Sequence, residues 1–295
     1  MQDYIKKMGV KDIAKQIYDV FVHKKFRAGS LPNEQTKELV LDKIVNKLIE
    51  NSPIEIFQFW GGSKNPNLHI EEADLCEKAA LNNLKRLNDE IVKIYCHGLK
   101  IFIFPGDERI HRTNKIPWEH TQKYVRSLVE MVNGYDGLFE VVPVSVLYRL
   151  YAEDFGLQLK EAQQQINSDI FSHVDFKRLQ SNAAKNIYTF DLTSEKDITS
   201  RSKNAARDYI VYRVAEERAE IFRDYRDCIR FSFIKFSPFF NIYKDYIPGI
   251  CRIQPGLNCV LYLYTGNKGN ISQPWQAIGV EHDNKVIFLS QKKMK

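Results

Sequence analysis

Between residues 54 and 104 the chain switches between two periodicities, and that switch leaves few folds open. Ile54-Glu55-Ile56-Phe57-Gln58-Phe59-Trp60 is a short apolar run of strand-favouring residues, ended by Gly61-Gly62. From Glu71 to Tyr95, Leu75, Ala79, Leu84, Leu87, Ile91 and Ile94 recur on one broad helical stripe. Acids cluster near its start, where the helix dipole favours them. Leu99 to Phe104 is strand-like again and closes on Pro105-Gly106. Strand, helix and strand at this spacing form a βαβ unit, which requires a parallel pair with a right-handed crossover.

The flanks extend the same plan. Up to about Glu50 the pattern is helical, with Ile5, Ile13, Ile17 and Val20 at turn-like spacing. After a connection at Gly29-Ser30-Leu31-Pro32, Leu39, Ile44 and Leu48 continue it. A further helix is expected from Trp118 to Val132 and a strand around Leu138 to Val144. Val146 to Phe222 reads as mainly helices, with a polar loop at Thr193–Ser200 suited to a mobile cover. Strands return at Cys228–Ile234, Cys259–Tyr264, Gln276–Glu281 and Lys285–Leu289, the last two joined by the hairpin signal His282-Asp283-Asn284. No repeat and no Pro- or Ser-rich linker divides the chain. The expectation is one α/β unit: residues 1–50 form a helical segment packed on the core, and residues 51–295 form a single catalytic-type domain. That domain has a mixed sheet, helical insertions and a C-terminal antiparallel hairpin.

Composition narrows the class. With 44% hydrophobic and 27% charged residues, a disordered or collagen-like chain is excluded. The longest apolar runs, such as Ile101–Phe104 and Val260–Tyr264, are strand-sized, and nothing approaches the roughly 18 to 20 residues of a membrane span. The N-terminus lacks a secretory pattern, so a soluble cytoplasmic protein is expected. Cys76, Cys96, Cys228, Cys251 and Cys259 form no C-x-x-C pair, which points to reduced thiols rather than a disulfide framework or zinc knuckle. The formal charge is +6, from 43 Lys+Arg against 37 Asp+Glu. The basic residues are interspersed with acids except in the Lys-Lys-Met-Lys tail, which favours a solvated surface over a nucleic-acid partner.

Ligands of doubly wound sheets sit at the carboxyl ends of the strands, so the residues after each strand are the candidates. The first such segment, Gly61-Gly62-Ser63-Lys64-Asn65-Pro66-Asn67, pairs glycines with a lysine able to neutralise an anion, without Walker A spacing. An ordinary turn with a solvated lysine is the alternative. The second places Asp107 at a strand end, as a proton-transfer group or as part of an Asp-containing turn. Asp74 and Glu77, three apart, present two carboxylates or simply begin a helix. In the strand Cys228–Lys235, Arg230 and Ser232 share one face, and so apolar a strand asks for an anionic ligand or a buried salt bridge beside the arginine. In Ser272-Gln273-Pro274-Trp275-Gln276, Trp275 either walls an aromatic pocket or packs. His69, Glu71, Glu72, Asp74, His111 and His120 are metal-ligand types, but no ligand spacing links them, so no metal is expected. There is no G-x-S-x-G elbow.

Taken in order, five stretches resemble the isocyanide (isonitrile) synthase family of pyoverdine and dityrosine biosynthesis. Phe59-Trp60-Gly61-Gly62-Ser63-Lys64-Asn65-Pro66-Asn67 is similar to the family's Phe-Pro-x-Lys loop, and Ala73-Asp74-Leu75-Cys76-Glu77 to its Asp-Leu-x-Glu helix. Ile101-Phe102-Ile103-Phe104-Pro105-Gly106-Asp107 resembles its strand ending in aspartate. Ile229-Arg230-Phe231-Ser232 resembles its Ile-Arg-Leu-Ser-Ile-His strand, and Gln273-Pro274-Trp275-Gln276 its Thr-Pro-Trp-His segment. Their order and rough separation agree from about Lys47 to the C-terminus.

The resemblance implies a Rossmann-like core and a cytoplasmic enzyme of secondary metabolism. Such an enzyme joins the amino group of an aromatic amino acid to a carbon from ribulose 5-phosphate, without metal or organic cofactor, and is often paired with an iron-dependent oxygenase. It implies catalytic roles for Lys64 and Asp107, with Asn65, Asp74, Glu77, Arg230, Ser232, Trp275 and Gln276 holding the amino acid and the sugar phosphate. Three positions depart from the pattern. The family's strand-ending histidine falls near Ile234 or Lys235, Gln276 stands in place of a histidine, and Glu108 replaces a glycine. The alternative is a catalytically altered relative that binds a small molecule or a protein.

Overall fold

Two helices, α1 (Val10–Val22) and α2 (Glu34–Glu50), precede the first strand and bury residues three and four apart: Ile13, Ile17 and Phe21 in one, Val40, Ile44 and Leu48 in the other. Both stripes belong to the same apolar cluster as Ile54, Ile56 and Trp60 of β1 (Ile54–Trp60). The alternate residues Phe57 and Phe59 face the opposite side. The molecule is seen in a computed structural model that describes residues 9–28, 30–233, 246, 260–262, 273–282 and 285–290.

α3 (Leu75–Val92) crosses over to β2 (Leu99–Pro105), which pairs parallel with β1, Ile54 opposite Leu99 and Trp60 opposite Pro105. Then follow α4 (Asp107–Asn114), α5 (Trp118–Val132), β3 (Phe139–Val141), α6 (Val144–Leu150), α7 (Ala152–Gln165), α8 (Phe176–Ala183) and α9 (Glu195–Arg218). β4 (Ile229–Ser232) and β5 (Val260–Tyr262) complete a five-stranded sheet of order β3-β2-β1-β4-β5 in which every pairing is parallel. The chain therefore builds outward from β1 on one side and then on the other, and the order reverses between β1 and β4, where such sheets open a crevice. Helices α1, α2, α3 and α5 cover one face, and α6 to α9 cover the other. On that second face Phe57 stacks on Phe104 at 4.3 Å between ring centroids.

β6 (Ala277–His282) and β7 (Lys285–Ser290) form an antiparallel hairpin packed on α3. The α/β architecture with helical insertions and a C-terminal hairpin is thus present, with its parallel and antiparallel strands in two separate sheets. One expectation is corrected. Thr193–Ser200 is no cover loop, because the Ser194 hydroxyl accepts from the Asp197 amide at 3.2 Å and α9 starts at Glu195. Its polarity is that of an exposed, acid-rich first turn. Expectations that fall on Ile5, Gly29, Ile234, Lys235, Cys251, Cys259, Ser272, Asp283, Asn284 and the Lys-Lys-Met-Lys tail lie outside the described residues. Among the described residues no helix is long and apolar enough to cross a membrane.

Candidate functional site

At the carboxyl end of β1 two glycines let the chain approach its neighbours more closely than a side chain would permit. A Cβ on Gly62 would lie 2.4 Å from the Gly106 carbonyl and 2.5 Å from the Asp107 nitrogen, so the loops after β1 and β2 touch through backbone. A Cβ on Gly61 would lie 2.3 Å from the Trp275 ring.

Lys64 follows, with its side chain fully buried. Its Nζ lies 2.6 Å from Glu77 Oε2 and 3.0 Å from Asp74 Oδ1, and it donates to the carbonyls of Ala277 and Pro274 at 2.9 and 3.3 Å. The ammonium expected to face a ligand anion is thus enclosed by the protein's own carboxyls. Asp74 caps α3, accepting from the Cys76 amide at 2.7 Å, and also accepts from Gly279 N of the hairpin at 3.2 Å. Glu77 completes the capping box by accepting from Asp74 N at 2.9 Å. Its other oxygen accepts from the Tyr124 hydroxyl, which in turn receives the Trp60 indole N–H. Burial pushes the Glu77 carboxyl up to about 7, with Lys64 opposing and Asp74 adding to the rise.

Asn65 and Gln276 form a clamp rather than a ligand pair. Asn65 Nδ2 donates to Gln276 Oε1 and to the Lys185 carbonyl, both at 3.0 Å, and Gln276 Nε2 donates to Asn186 Oδ1 at 2.5 Å. Trp275 packs in the core against Trp60, 5.7 Å between rings. Asp107, fully buried at the start of α4, accepts from Ser145 N at 3.0 Å and Ser145 Oγ at 2.6 Å, capping the neighbouring α6.

On the other face of the sheet lies a charged network with no counterpart among the expected site residues except Arg230. Arg109 Nη1 reaches Glu216 Oε1 at 2.5 Å, and the Tyr148 hydroxyl donates to the same oxygen at 2.6 Å. Arg213 bonds the second Glu216 oxygen and lies 3.1 Å from Glu217 Oε1. Burial alone would raise Glu216, but Arg109 and Arg213 outweigh it and hold the carboxyl below its usual value. The Phe59 ring is flanked by three guanidinium carbons: Arg213 at 4.6 Å, Arg230 at 4.7 Å and Arg109 at 5.7 Å. Arg230 is 1% exposed and lies on β4 opposite Phe57, at the reversal of strand order, and Ser232 is buried beside it. One sequence signal pointed here: Arg213 and Glu216-Glu217 interrupt an otherwise apolar stretch of α9 at helical spacing.

Beside the Ser63-Lys64 turn is a cavity of about 250 Å³. One wall is an arc of rings, His69 to Phe190 at 5.0 Å, Phe190 to Tyr188 at 5.2 Å and Tyr188 to His120 at 6.1 Å between centroids. Glu71 lines it too, 2.7 Å from His120 Nε2 and 2.6 Å from Lys123 Nζ. The Lys123 hydrogen bond is the chief cause holding its carboxyl below the usual value. Trp275 is absent from this lining. Among the described residues, no three His, Cys, Asp or Glu side chains converge as a metal site requires.

The layering and strand order define a doubly wound α/β protein whose polar residues gather at the reversal in strand order. That architecture is shared with the PvcA protein of Pseudomonas aeruginosa, whose crystal structure aligns at TM-score 0.71 and 16% identity, over 96% of this chain and 93% of that one. A tyrosyl-tRNA synthetase from Aeropyrum pernix aligns at TM-score 0.44 and 10% identity over 85% of this chain and 61% of that one, too weakly to relate the two. No family model matches the chain, and no curated protein matches it significantly.

Proposed function

We propose that the chain is an isonitrile-synthase-like enzyme that joins the amino group of an amine substrate, an aromatic amino acid in the family it resembles, to a carbon from ribulose 5-phosphate. One observation carries the reading: the five stretches on which the resemblance rests, spread from Phe59 to Gln276, meet at the carboxyl end of one parallel sheet. Lys64 alone ties three of them together, through Asp74, Glu77, Pro274 and Ala277. Gly62 brings in the fourth at Gly106-Asp107, and Arg230 joins by its guanidinium over Phe59. The PvcA-like fold over nearly the whole chain agrees with this reading.

In this reading the roles differ from those of a lysine and an aspartate acting on substrate. Lys64 and Asp107 are positioning residues, which hold the loops that form the site. Arg230, beside Arg109 and Arg213 whose own guanidiniums bond Glu216 and Glu217, supplies a guanidinium fork suited to the phosphate of the sugar or to a carboxylate. Pairing with an iron-dependent oxygenase that consumes the product belongs to the same proposal. The test is incubation of the purified protein with pooled amino acids and their decarboxylated amines together with ribulose 5-phosphate, followed by mass spectrometry for replacement of an amine by an isonitrile. Product is expected from the wild type and none from Arg230→Ala. Thermal stabilisation by either reactant without any product would instead make the chain a binding module.

A further inference from the structure

The cavity beside Ser63-Lys64 has a chemistry that the reading above does not use. Four rings border it in sequence, and one of them, Phe190, is 52% exposed. Such an arc presents ring faces and edges to a guest, and ring faces attract an organic cation. Its charged lining residues are Lys64 and Glu71. The Lys64 ammonium has no donor left to offer, because its side chain is 0% exposed and Asp74, Glu77 and the Pro274 and Ala277 carbonyls surround it. Glu71 meets His120 and Lys123 at 2.7 and 2.6 Å, yet 32% of its side chain stays exposed at the wall, where a carboxylate oxygen can accept a further bond. Among the described lining residues, then, a guest carboxylate finds no available lysine or arginine. A guest ammonium finds a carboxylate and aromatic rings.

We propose that this cavity binds an aromatic primary amine that lacks a carboxylate, with the ring against Tyr188 and Phe190 and the ammonium towards Glu71. The site therefore selects an amine rather than an amino acid. The proposal rests on the isonitrile-synthase-like reading only in making that amine the substrate; the binding itself is measurable without turnover.

Calorimetric titration of the full chain with tyramine, L-tyrosine and 3-(4-hydroxyphenyl)propionate tests it. Tyramine is expected to bind at least about tenfold more tightly than L-tyrosine, and the carboxylate weakest of the three. Phe190→Ala should weaken tyramine binding about fivefold or more, while Glu71→Gln should narrow the gap between tyramine and the carboxylate. Both side chains are partly exposed, so the variants are expected to fold, and a melting curve checks that they do. Equal or tighter binding of L-tyrosine or of the carboxylate, no binding of tyramine at millimolar concentration, or an unchanged tyramine affinity in Phe190→Ala would each overturn the proposal. If tyramine binds as expected but yields no isonitrile with ribulose 5-phosphate, the enzyme reading falls and the amine site stands. If L-tyrosine binds better and is converted, the amine site falls and the enzyme reading stands.

Discussion

Removing the Lys64 side chain would leave Asp74 and Glu77 facing one another beneath the hairpin with no counter-charge. Breaking a buried pair in this way costs about 3–5 kcal/mol, so Lys64→Ala should lower the urea midpoint steeply, and Lys64→Met combined with Glu77→Gln should recover much of the loss. Unfolding in which the single and double variants behave alike would show that the charges do not interact. Glu77 also sets a pH dependence. Its carboxyl moves from 4.5 to about 7 on folding, so between those values the folded state holds more protons than the unfolded one. Stability from this group is fully present below about 4.5 and falls as pH rises to about 7, by about 3 kcal/mol at most. Glu77→Gln should remove that slope, which denaturation midpoints from pH 4.5 to 8 would reveal. None of this pairing was legible in the sequence. The Lys64 partners lie 13 residues away at Glu77 and 213 away at Ala277, and no local pattern encodes such a meeting. The readable part was that Lys64 sits at a strand end. Whether it faces a ligand or a carboxylate depends on what packs above it.

At the scale of elements, the βαβ unit was plain because Ile54 and Ile56 alternate with Phe57 and Phe59 while the helix repeats every three or four residues. The limits of α9 were harder. Its first turn is polar because it is exposed, and an exposed helix start shares the composition of a loop until the Ser194 cap is recognised. Ser194→Ala should therefore cost about 1 kcal/mol and increase amide exchange in the first turn of α9. The join between β1 and β2 is more demanding. Gly62→Ala would drive a methyl into the Gly106 backbone, which has no flexible side chain to yield. The expected cost is about 3 kcal/mol or more, at the upper end for overpacking, and on the proposed isonitrile-synthase-like reading turnover should fall further than stability. Full activity in that variant would show that the two loops need not touch.

For the whole molecule, the layering was predictable from which residues alternate and which repeat, but the two faces of the sheet turned out to carry different chemistry. The face under α1, α2, α3 and α5 is an apolar core running from Ile13 to Trp275. The opposite face holds Arg109, Arg213, Arg230 and Glu216 among its aromatics. Deleting residues 1–50 would strip Ile13, Ile17, Phe21, Val40 and Ile44 from the first core, so the remainder should be insoluble or lose its cooperative melting transition. A soluble, cooperatively melting fragment would make those helices an appendage. The bond from Lys64 to Ala277 also sets an order of events during synthesis. Asp74 and Glu77 can meet the lysine soon after β1 is made, but the Pro274 and Ala277 carbonyls that complete its enclosure follow only about two hundred residues later. A nascent chain therefore passes through a stage in which the helices on both faces of the sheet have been made while the loop at the end of β1 still lacks the segment that closes over it.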